Sequence, residues 1–329
     1  MKKLFVTLAC AVLAALTLVG FSACSNKDDG KVTVYMPDGA PALAMAQLMN
    51  ENPKFSKEVS YHVVSAASTI GSYVTYENNS KNADLIIMPV NTASTILSGG
   101  GKYKMLGAVT HGNLYILANK NKEELTTENF QESISEAKVG VMQLQQFPGV
   151  MFKTLLNKYS ASAQLSAVQL AQVDGKSLDY DYFIVPEPHA TSRVGNSELD
   201  LKIVGSLQSL YGEGGYPQAV LMAKTELIKN SPEFIAEFCT ALTGASEWLV
   251  SDSVTGETIL NTIKTHYADP DNTAPAFTNL SNEVIGHCAI RFDYSAECKQ
   301  SVIDLLTEFR QVDESFAKVV DDNFFYIPA

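Results

Sequence analysis

Small, polar and aromatic residues follow several segments that the sequence predicts to be β-strands. In open α/β sheets, ligands bind outside the carboxyl ends of the strands, beside helix N-termini whose free N–H groups attract polar or anionic groups. We therefore expect a small polar molecule to bind at these positions. The candidate ligand-binding residues in these segments are Asp38, Gly39, Ala40, Ser68, Thr69, Asn91, Thr92, Gln146, Phe147 and Glu187.

Four further candidates stand beside the strands predicted at 114–118 and 218–223, namely His111, Asn113, Tyr211 and Tyr216. The two tyrosines flank a glycine-rich stretch, which indicates either a mobile loop with aromatic lids or an ordinary exposed loop. Other candidates also have purely structural explanations. Asp38 and Gly39 are typical of a tight turn, Asn91 of a helix cap, and His111 of a structural histidine. Glu187 lies between two prolines at a strand end, where a ligand role is favoured.

The types of these residues favour some ligands over others. The three arginines fall in no predicted strand-end segment, so an anion would depend on backbone N–H groups and hydroxyls. Asp38 and Glu187 can accept hydrogen bonds from an amino group or a protonated ring, and aromatic side chains can stack on a flat ring. A small nitrogen heteroaromatic, such as a thiamine-pyrimidine-like compound, fits this chemistry best. A sulfonate, nitrate or an amino acid remains the alternative.

The sequence contains no recognisable catalytic motif. There is no His-Glu-x-x-His, phosphate-binding loop or Gly-x-Ser-x-Gly, and the five histidines are scattered along the chain. We therefore expect no enzyme activity, no cofactor and no metal site. The formal net charge of −12 argues against nucleic acid as a partner, because neutralising phosphates requires clustered Lys and Arg.

The N-terminal segment predicts export. Lys2 and Lys3 precede an apolar run that ends in small residues before Cys24, and a polar stretch follows. This arrangement is typical of a bacterial secretion signal. It resembles the lipoprotein signal, which implies cleavage after residue 23, lipidation of Cys24 (palmitate among the acyl groups) and a membrane-anchored protein outside the cytoplasm. An uncleaved anchor is the alternative. Cys288 and Cys298 could form a disulfide or remain buried thiols.

Strands and helices alternate along the rest of the chain, which predicts an α/β fold with mostly parallel sheets. The chain length suggests two domains. Residues 86–94 and 183–191 share a pattern of apolar strand, proline, polar turn and small-residue helix start, which favours two similar lobes. Strands are predicted at 31–35, 59–64, 83–88, 105–109, 114–118, 138–142, 165–170, 182–185, 201–204 and 218–223. Helices are predicted at 41–49, from about 70, and at 232–250, 258–267 and 296–309.

The sequence resembles the type II periplasmic-binding-protein superfamily, nearest to the thiamine-precursor, sulfonate and nitrate binding group. The resemblance lies in Tyr-Met-Pro-Asp-Gly-Ala-Pro-Ala at 35–42, the stretches at 83–91 and 111–115, and Val-Pro-Glu-Pro at 185–188. It implies a two-lobed fold in which each lobe is a mostly parallel sheet flanked by helices. After the signal peptide (1–23) and a tether (24–30), residues 31–118 and 219–329 would form lobe 1, and residues 119–218 lobe 2.

The resemblance also implies a function. The protein would be a solute-binding lipoprotein of an ABC importer that holds a small molecule between its lobes. Its partners would be a permease and ATPase subunits, and it would act as a monomer. A binding-protein-fold enzyme of the menaquinone-synthesis type is the alternative from another class, although the export signal argues against it.

Overall fold

A computed structural model describes residues 31–65, 67–77, 82–99, 101–176, 179–269, 271 and 275–328. The predicted signal peptide, Cys24 and the tether lie outside these residues. Eleven strands are present in the described parts of the chain. They are β1 (Val32–Pro37), β2 (Val59–Val64), β3 (Leu85–Pro89), β4 (Tyr103–Thr110), β5 (Leu114–Asn119), β6 (Lys138–Met142), β7 (Gln164–Val168), β8 (Tyr182–Pro186), β9 (Leu201–Ser206), β10 (Ala219–Lys224) and β11 (Ile290–Tyr294).

Helices cover both faces of the sheets. Two of the longer ones, α1 and α4, carry proline in their first turn, where its missing N–H would have no partner in any case. The helices are α1 (Ala40–Glu51), α2 (Val90–Leu97), α3 (Phe130–Ile134), α4 (Phe147–Lys158), α5 (His189–Val194), α6 (Leu207–Tyr211), α7 (Thr225–Asn230), α8 (Pro232–Leu242), α9 (Ala245–Leu249), α10 (Gly256–Thr265), α11 (Asn282–His287) and α12 (Ser295–Val312).

The strands form two mixed sheets. The first has the order β11-β4-β10-β3-β1-β2 and the second the order β7-β6-β8-β5-β9. In the first sheet β1 to β4 run in one direction, and β10 and β11 run against them. In the second sheet only β5 runs against the others. The predicted two-sheet α/β fold is confirmed, but the sheets are more mixed than expected because the returning strands enter between or beside the parallel ones.

The structure moves one predicted domain boundary. Residues 114–118 were assigned to lobe 1, yet β5 pairs with β8 on one side and β9 on the other, well inside the second sheet. Residues 111–113 therefore form the first connection between the lobes, and residues 212–218 form the second. β10 lies in the first sheet.

Apolar side chains from both sheets share one core. β3 illustrates the pattern, because Leu85 and Ile87 belong to a cluster that contains residues of α1 and α8, whereas Ile86 and Met88 belong to a different cluster on the opposite face. This burial on both faces explains its continuous apolar sequence. The cluster that contains Ile86 also contains Ile184 of β8, so the core is continuous from one lobe to the other.

Three details of secondary structure differ from expectation. The strand β11 was not predicted, the helix expected from about residue 70 is a 3-10 helix over Ala67–Val74, and the helix expected at 232–250 is divided into α8 and α9. Cys239, Cys288 and Cys298 are buried free thiols, so the thiol alternative applies to Cys288 and Cys298. Within the described residues, no helix is long and apolar enough to cross a membrane.

Candidate functional site

The two sheets present their strand ends to each other across the two connections. β1 to β4 end on the edge of the first sheet next to residues 111–113. β6, β8 and β9 end on the facing edge of the second sheet. Thirteen of the fourteen predicted site residues lie on these edges, on the helix starts that follow them or in the connections, and Tyr211 is the last residue of α6. The ten residues selected by the strand-end rule therefore lie at the facing edges of the two sheets.

Asp38 is held by donors of its own lobe. One carboxylate oxygen accepts a hydrogen bond from Gly39 N at 2.7 Å. The other accepts from Ala276 N at 2.8 Å and from the Tyr267 hydroxyl. Gly39 has a φ of +96°, a left-handed conformation that favours glycine. These contacts fix the turn between β1 and α1, with Ala40 buried at the helix start and Ser68 and Thr69 exposed nearby on the 3-10 helix.

Three amide side chains gather where β3 ends and the connections begin. Gln218 Nε2 donates to Asn113 Oδ1 at 2.8 Å. The backbone carbonyl oxygen of Gln218 accepts a hydrogen bond from Val90 N at 2.9 Å. Asn91 follows Val90 in the first turn of α2, beside the half-buried Thr92. Asn91 Oδ1 and Gln218 Oε1 are buried and have no hydrogen-bond donor among the described residues. We refer to Asn91, Asn113 and Gln218 as the amide cluster.

The amide cluster can accept hydrogen bonds from a guest. A buried oxygen without a donor costs about 1–3 kcal/mol, which a bound N–H or O–H group would recover. Asn91 and Asn113 were predicted from sequence, but Gln218 was missed, because it was placed at the start of a strand. The position of the Gln218 side chain depends on β10 lying between β3 and β4, and these two strands are distant from β10 in sequence.

Glu187 lies on the opposite edge and is fully committed to protein partners. Its side chain is 0% exposed. Oε1 lies 2.6 Å from Thr191 Oγ1 and 2.7 Å from His287 Nδ1, and Oε2 accepts from Thr191 N at 3.1 Å. His287 belongs to α11 of the first lobe. Sequence reasoning missed His287 as a partner of Glu187, because nothing local marks a residue 100 positions away. It also missed Thr191, four residues after Glu187.

His111 has a structural partner in the first connection. Its Nε2 lies 2.9 Å from Asp293 Oδ2. Burial lowers the pKa of His111 to about 4, and the positive charge of Arg291 acts in the same direction. Arg291 donates twice to Asp293, at 2.7 and 2.9 Å. Burial alone would raise the pKa of Asp293, but hydrogen bonds from Arg291 and the nearby His111 lower it overall. The arrangement favours the structural explanation of His111.

Aromatic residues pack at the other side of the connections. The Phe147 ring lies 5.9 Å from Tyr216 and 5.4 Å from Phe309 of α12, and Tyr216 is 0% exposed. Tyr216 is thus a core residue rather than a lid, and burial raises its pKa well above the ordinary value. Tyr211 is half-buried with Lys158 Nζ 4.8 Å from its ring centroid, and Gln146 is exposed at the start of α4. Tyr211 and Gln146 therefore remain closer to solvent.

Two surface cavities lie outside the region between the amide cluster and Glu187. One of about 910 Å³ is on the first lobe, between the C-terminal parts of α2 and α12, and is lined partly by Ile96, Lys102, Arg310 and Val319. The other, of about 390 Å³, lies beside the second connection at Gly212 to Gly215. Neither contains the amide cluster. Among the described residues, no group of three or more His, Cys, Asp or Glu side chains could hold a metal ion.

Comparison with known proteins gives similarity in structure only. No model of a protein family matches the sequence, and no curated protein matches it. An ABC transporter from Parabacteroides distasonis is 17% identical, covers 92% of this chain and 100% of its own, and has a TM-score of 0.69. The periplasmic aliphatic sulphonate binding protein of Escherichia coli is 12% identical over 91% of this chain and 93% of its own, with a TM-score of 0.65.

A third solved structure has the same architecture. The periplasmic nitrate-binding protein of Synechocystis PCC 6803 is 12% identical, over 89% of this chain and 86% of its own, with a TM-score of 0.53. Identities this low establish a shared fold and leave the ligand open. The similarity spans nearly all of each chain and both sheets. The chain therefore has the two-lobed α/β fold of the periplasmic binding proteins.

Proposed function

We propose that this protein is an extracytoplasmic solute-binding component of an ABC importer, with its ligand held between the lobes. The observation that carries the proposal is the amide cluster, which offers buried acceptors at the strand ends where α/β folds bind ligands. The structural similarity to binding proteins supports the same assignment. The partners would be a permease and ATPase subunits, and the binding protein itself would be a monomer without catalytic residues.

We further propose that the ligand carries N–H donors. Asn91 Oδ1 and Gln218 Oε1 would face a guest with lone pairs, so an oxyanion would meet repulsion at both oxygens unless the amides turned. An amino-substituted nitrogen heteroaromatic, such as a thiamine-pyrimidine-like compound, would satisfy both acceptors. Support from ring stacking is weaker than the sequence suggested, because Phe147 and Tyr216 pack against each other and the core.

A thermal-shift screen of the purified protein tests both parts of the proposal. The compounds are aminopyrimidines, nucleobases, amino acids, sulfonates and nitrate. A ligand at 100 times its dissociation constant should add ~2.7 kcal/mol to the free energy of unfolding. We expect the largest rise in melting temperature from an aminopyrimidine. A rise with sulfonates or nitrate alone would contradict the ligand class but support the receptor, and no rise from any class would contradict both.

The variant Asn91→Ala tests the amide cluster directly. Removing the acceptor should weaken binding of the compound found in the screen by about two- to tenfold if the donor is neutral, and by about tenfold or more if it is charged, since these hydrogen bonds contribute about 0.5–1.5 and 1.5–3 kcal/mol. Isothermal titration calorimetry measures the change. Asn196→Ala is the matched control, because Asn196 is an exposed amide in the loop between α5 and β9. Equal affinity of Asn91→Ala and wild type would exclude Asn91 from the site.

We also propose that lipidation of Cys24 anchors the protein to the outer face of the membrane. Two or more acyl chains would hold it stably, whereas one would hold it only marginally. The variant Cys24→Ala should move the protein from the membrane fraction to the soluble fraction. Mass spectrometry of the wild-type N-terminus should show an acylated cysteine as the first residue. An unmodified Cys24, or equal membrane association of the variant, would contradict the anchor.

A further inference from the structure

One polar contact joins the lobes beside the first connection. His287 Nδ1, from α11 of the first lobe, lies 2.7 Å from Glu187 Oε1 at the end of β8 in the second lobe. Thr191 Oγ1 lies 3.4 Å from the same ring nitrogen and 2.6 Å from the same carboxylate oxygen. We call Glu187, Thr191 and His287 the interlobe clasp. It is built from two elements that belong to different sheets.

The second lobe also contacts His287 through Tyr115 of β5. The Tyr115 hydroxyl donates to the His287 carbonyl oxygen at 3.0 Å. The two rings lie 4.7 Å apart between centroids, at an interplanar angle of 37°. Backbone and side chain of His287 are therefore both held from the other lobe. Such contacts last only as long as α11 stays against the second sheet, so they depend on the angle between the lobes.

Burial makes the clasp energetically sensitive to lobe separation. A carboxylate with a fully buried side chain is stable only if hydrogen bonds replace its hydration. The second lobe supplies two donors through Thr191, and the first lobe supplies the third through His287. Removing His287 would take one of these three donors away from a buried carboxylate. Opening the lobes would remove His287 in the same way, although water could then reach Glu187.

We propose that His287 is a positioning residue which, through Glu187, holds the two lobes in the closed arrangement. The clasp gives the protein an interlobe contact that does not pass through the ligand. Ligand and clasp would then stabilise the same closed state, and the balance between open and closed forms would depend on both. The role in ligand capture rests on the proposed function, whereas the effect on lobe geometry does not.

The test measures the distance between lobes in purified protein without added ligand. Pulsed electron spin resonance uses labels at two exposed positions, Glu132 on α3 and Glu257 on α10. We expect His287→Ala to shift the distance distribution away from that of the wild type and to broaden it. His266→Ala is the matched control, because His266 is a half-buried histidine of the first lobe whose hydrogen bonds, to Thr262 and Thr265, stay within that lobe.

Two amide variants keep the test decisive if His287→Ala fails to fold. The amide nitrogen of His287→Asn can occupy the position of Nδ1 and keep the clasp, whereas that of His287→Gln lies nearer the position of Nε2 and loses it. We expect the Asn variant to match the wild-type distribution and the Gln variant to show a distance distribution that is shifted from the wild type and broader. Identical distributions for wild type, Asn and Gln variants would overturn the proposal. Because no ligand is added, a failed ligand screen would leave this result unaffected.

Discussion

The buried histidine of the first connection shows how one residue carries a constraint that its sequence position does not reveal. His111 lies in a polar stretch, yet it is 3% exposed and lies against Asp293, which also accepts hydrogen bonds from Arg291. Nε2 of His111 lies 2.9 Å from the Asp293 carboxylate, and a second proton would have to enter a buried ring. The structure therefore ties the charge state of this residue to folding.

We expect stability to fall as the pH falls from about 6.5 to about 4. Above that window His111 is neutral in both states, so its contribution is fully present. Within it, the unfolded chain takes up a proton that the folded protein excludes, because burial lowers the folded pKa to about 4. The loss is on the order of 3 kcal/mol in the free energy of unfolding. Urea unfolding at several pH values measures it.

The variant His111→Gln provides the control for this prediction. Glutamine has no titrating group, so its stability should change less between pH 6.5 and 4 than that of the wild type. Asp293 does not confuse the comparison, because its lowered pKa removes stability only at more acidic pH. The same pH slope in variant and wild type would show that His111 does not govern the transition.

Residue positions could be predicted from the sequence better than residue partners. The rule of strand carboxyl ends selected Asn91 and Glu187, since each follows a recognisable apolar strand, and Asn113 was selected because it precedes β5. It gave no access to His287 or Gln218, because their roles depend on contacts between segments more than 90 residues apart. A single sequence has no local signal for such pairs.

At the scale of elements, the two connections between the lobes approach each other closely at Gly215. Gly215 has a φ of +74°, and a Cβ at this position would lie 2.1 Å from the carbonyl oxygen of His111. Gly214 has nearly the same φ, +80°, but no atom within 4 Å of a Cβ. A side chain at Gly214 would therefore meet backbone strain alone, whereas a side chain at Gly215 would meet backbone strain and a steric clash.

We expect Gly215→Ala to destabilise the protein more than Gly214→Ala. Alanine at Gly214 carries only the cost of a left-handed conformation, roughly 1–2 kcal/mol. Alanine at Gly215 carries the same cost and also forces the two connections apart, because a backbone oxygen has no alternative rotamer. Chemical denaturation compares the two free energies of unfolding. Equal losses would mean that the connections can separate at little cost.

Element types were predicted where the local pattern is strong. β3 and β8 are continuous apolar runs that end in proline, and both were found. β11 was missed because its apolar pattern is interrupted by Arg291 and Asp293, whose side chains pair with each other. The division between α8 and α9 falls at Thr243 and Gly244, although the apolar pattern continues through it.

For the whole molecule, the continuous core determines how the protein unfolds more than the division into two lobes does. Phe309 of α12 is 0% exposed and packs in a cluster that contains residues of both sheets, among them Met88 and Ile184. Packing shared in this way couples the stability of the lobes. The two-domain organisation inferred from chain length therefore describes the shape and does not imply two independent folding transitions.

We expect wild-type protein to unfold in one cooperative transition. Fluorescence of the single tryptophan, Trp248 on α9, reports the first lobe, and far-ultraviolet circular dichroism reports all helices. The two midpoints should coincide. Phe309→Ala should lower the free energy of unfolding by about 3–5 kcal/mol at both probes, whereas Val319→Ala, at a site 69% exposed, should change it little. Separate wild-type transitions would contradict the coupling.

The position of β10 also sets the order in which the chain can fold. β10 lies between β3 and β4, although it follows them by more than 100 residues. The first sheet therefore lacks the strand between β3 and β4 until residue 224 has emerged, and its edge strand β11 until residue 294. By contrast, β5 to β9 form an uninterrupted segment that can pair at once. Long-range pairing is slow because loop closure precedes any gain. During synthesis the lobe that comes second in the chain should thus be the first to acquire a native sheet.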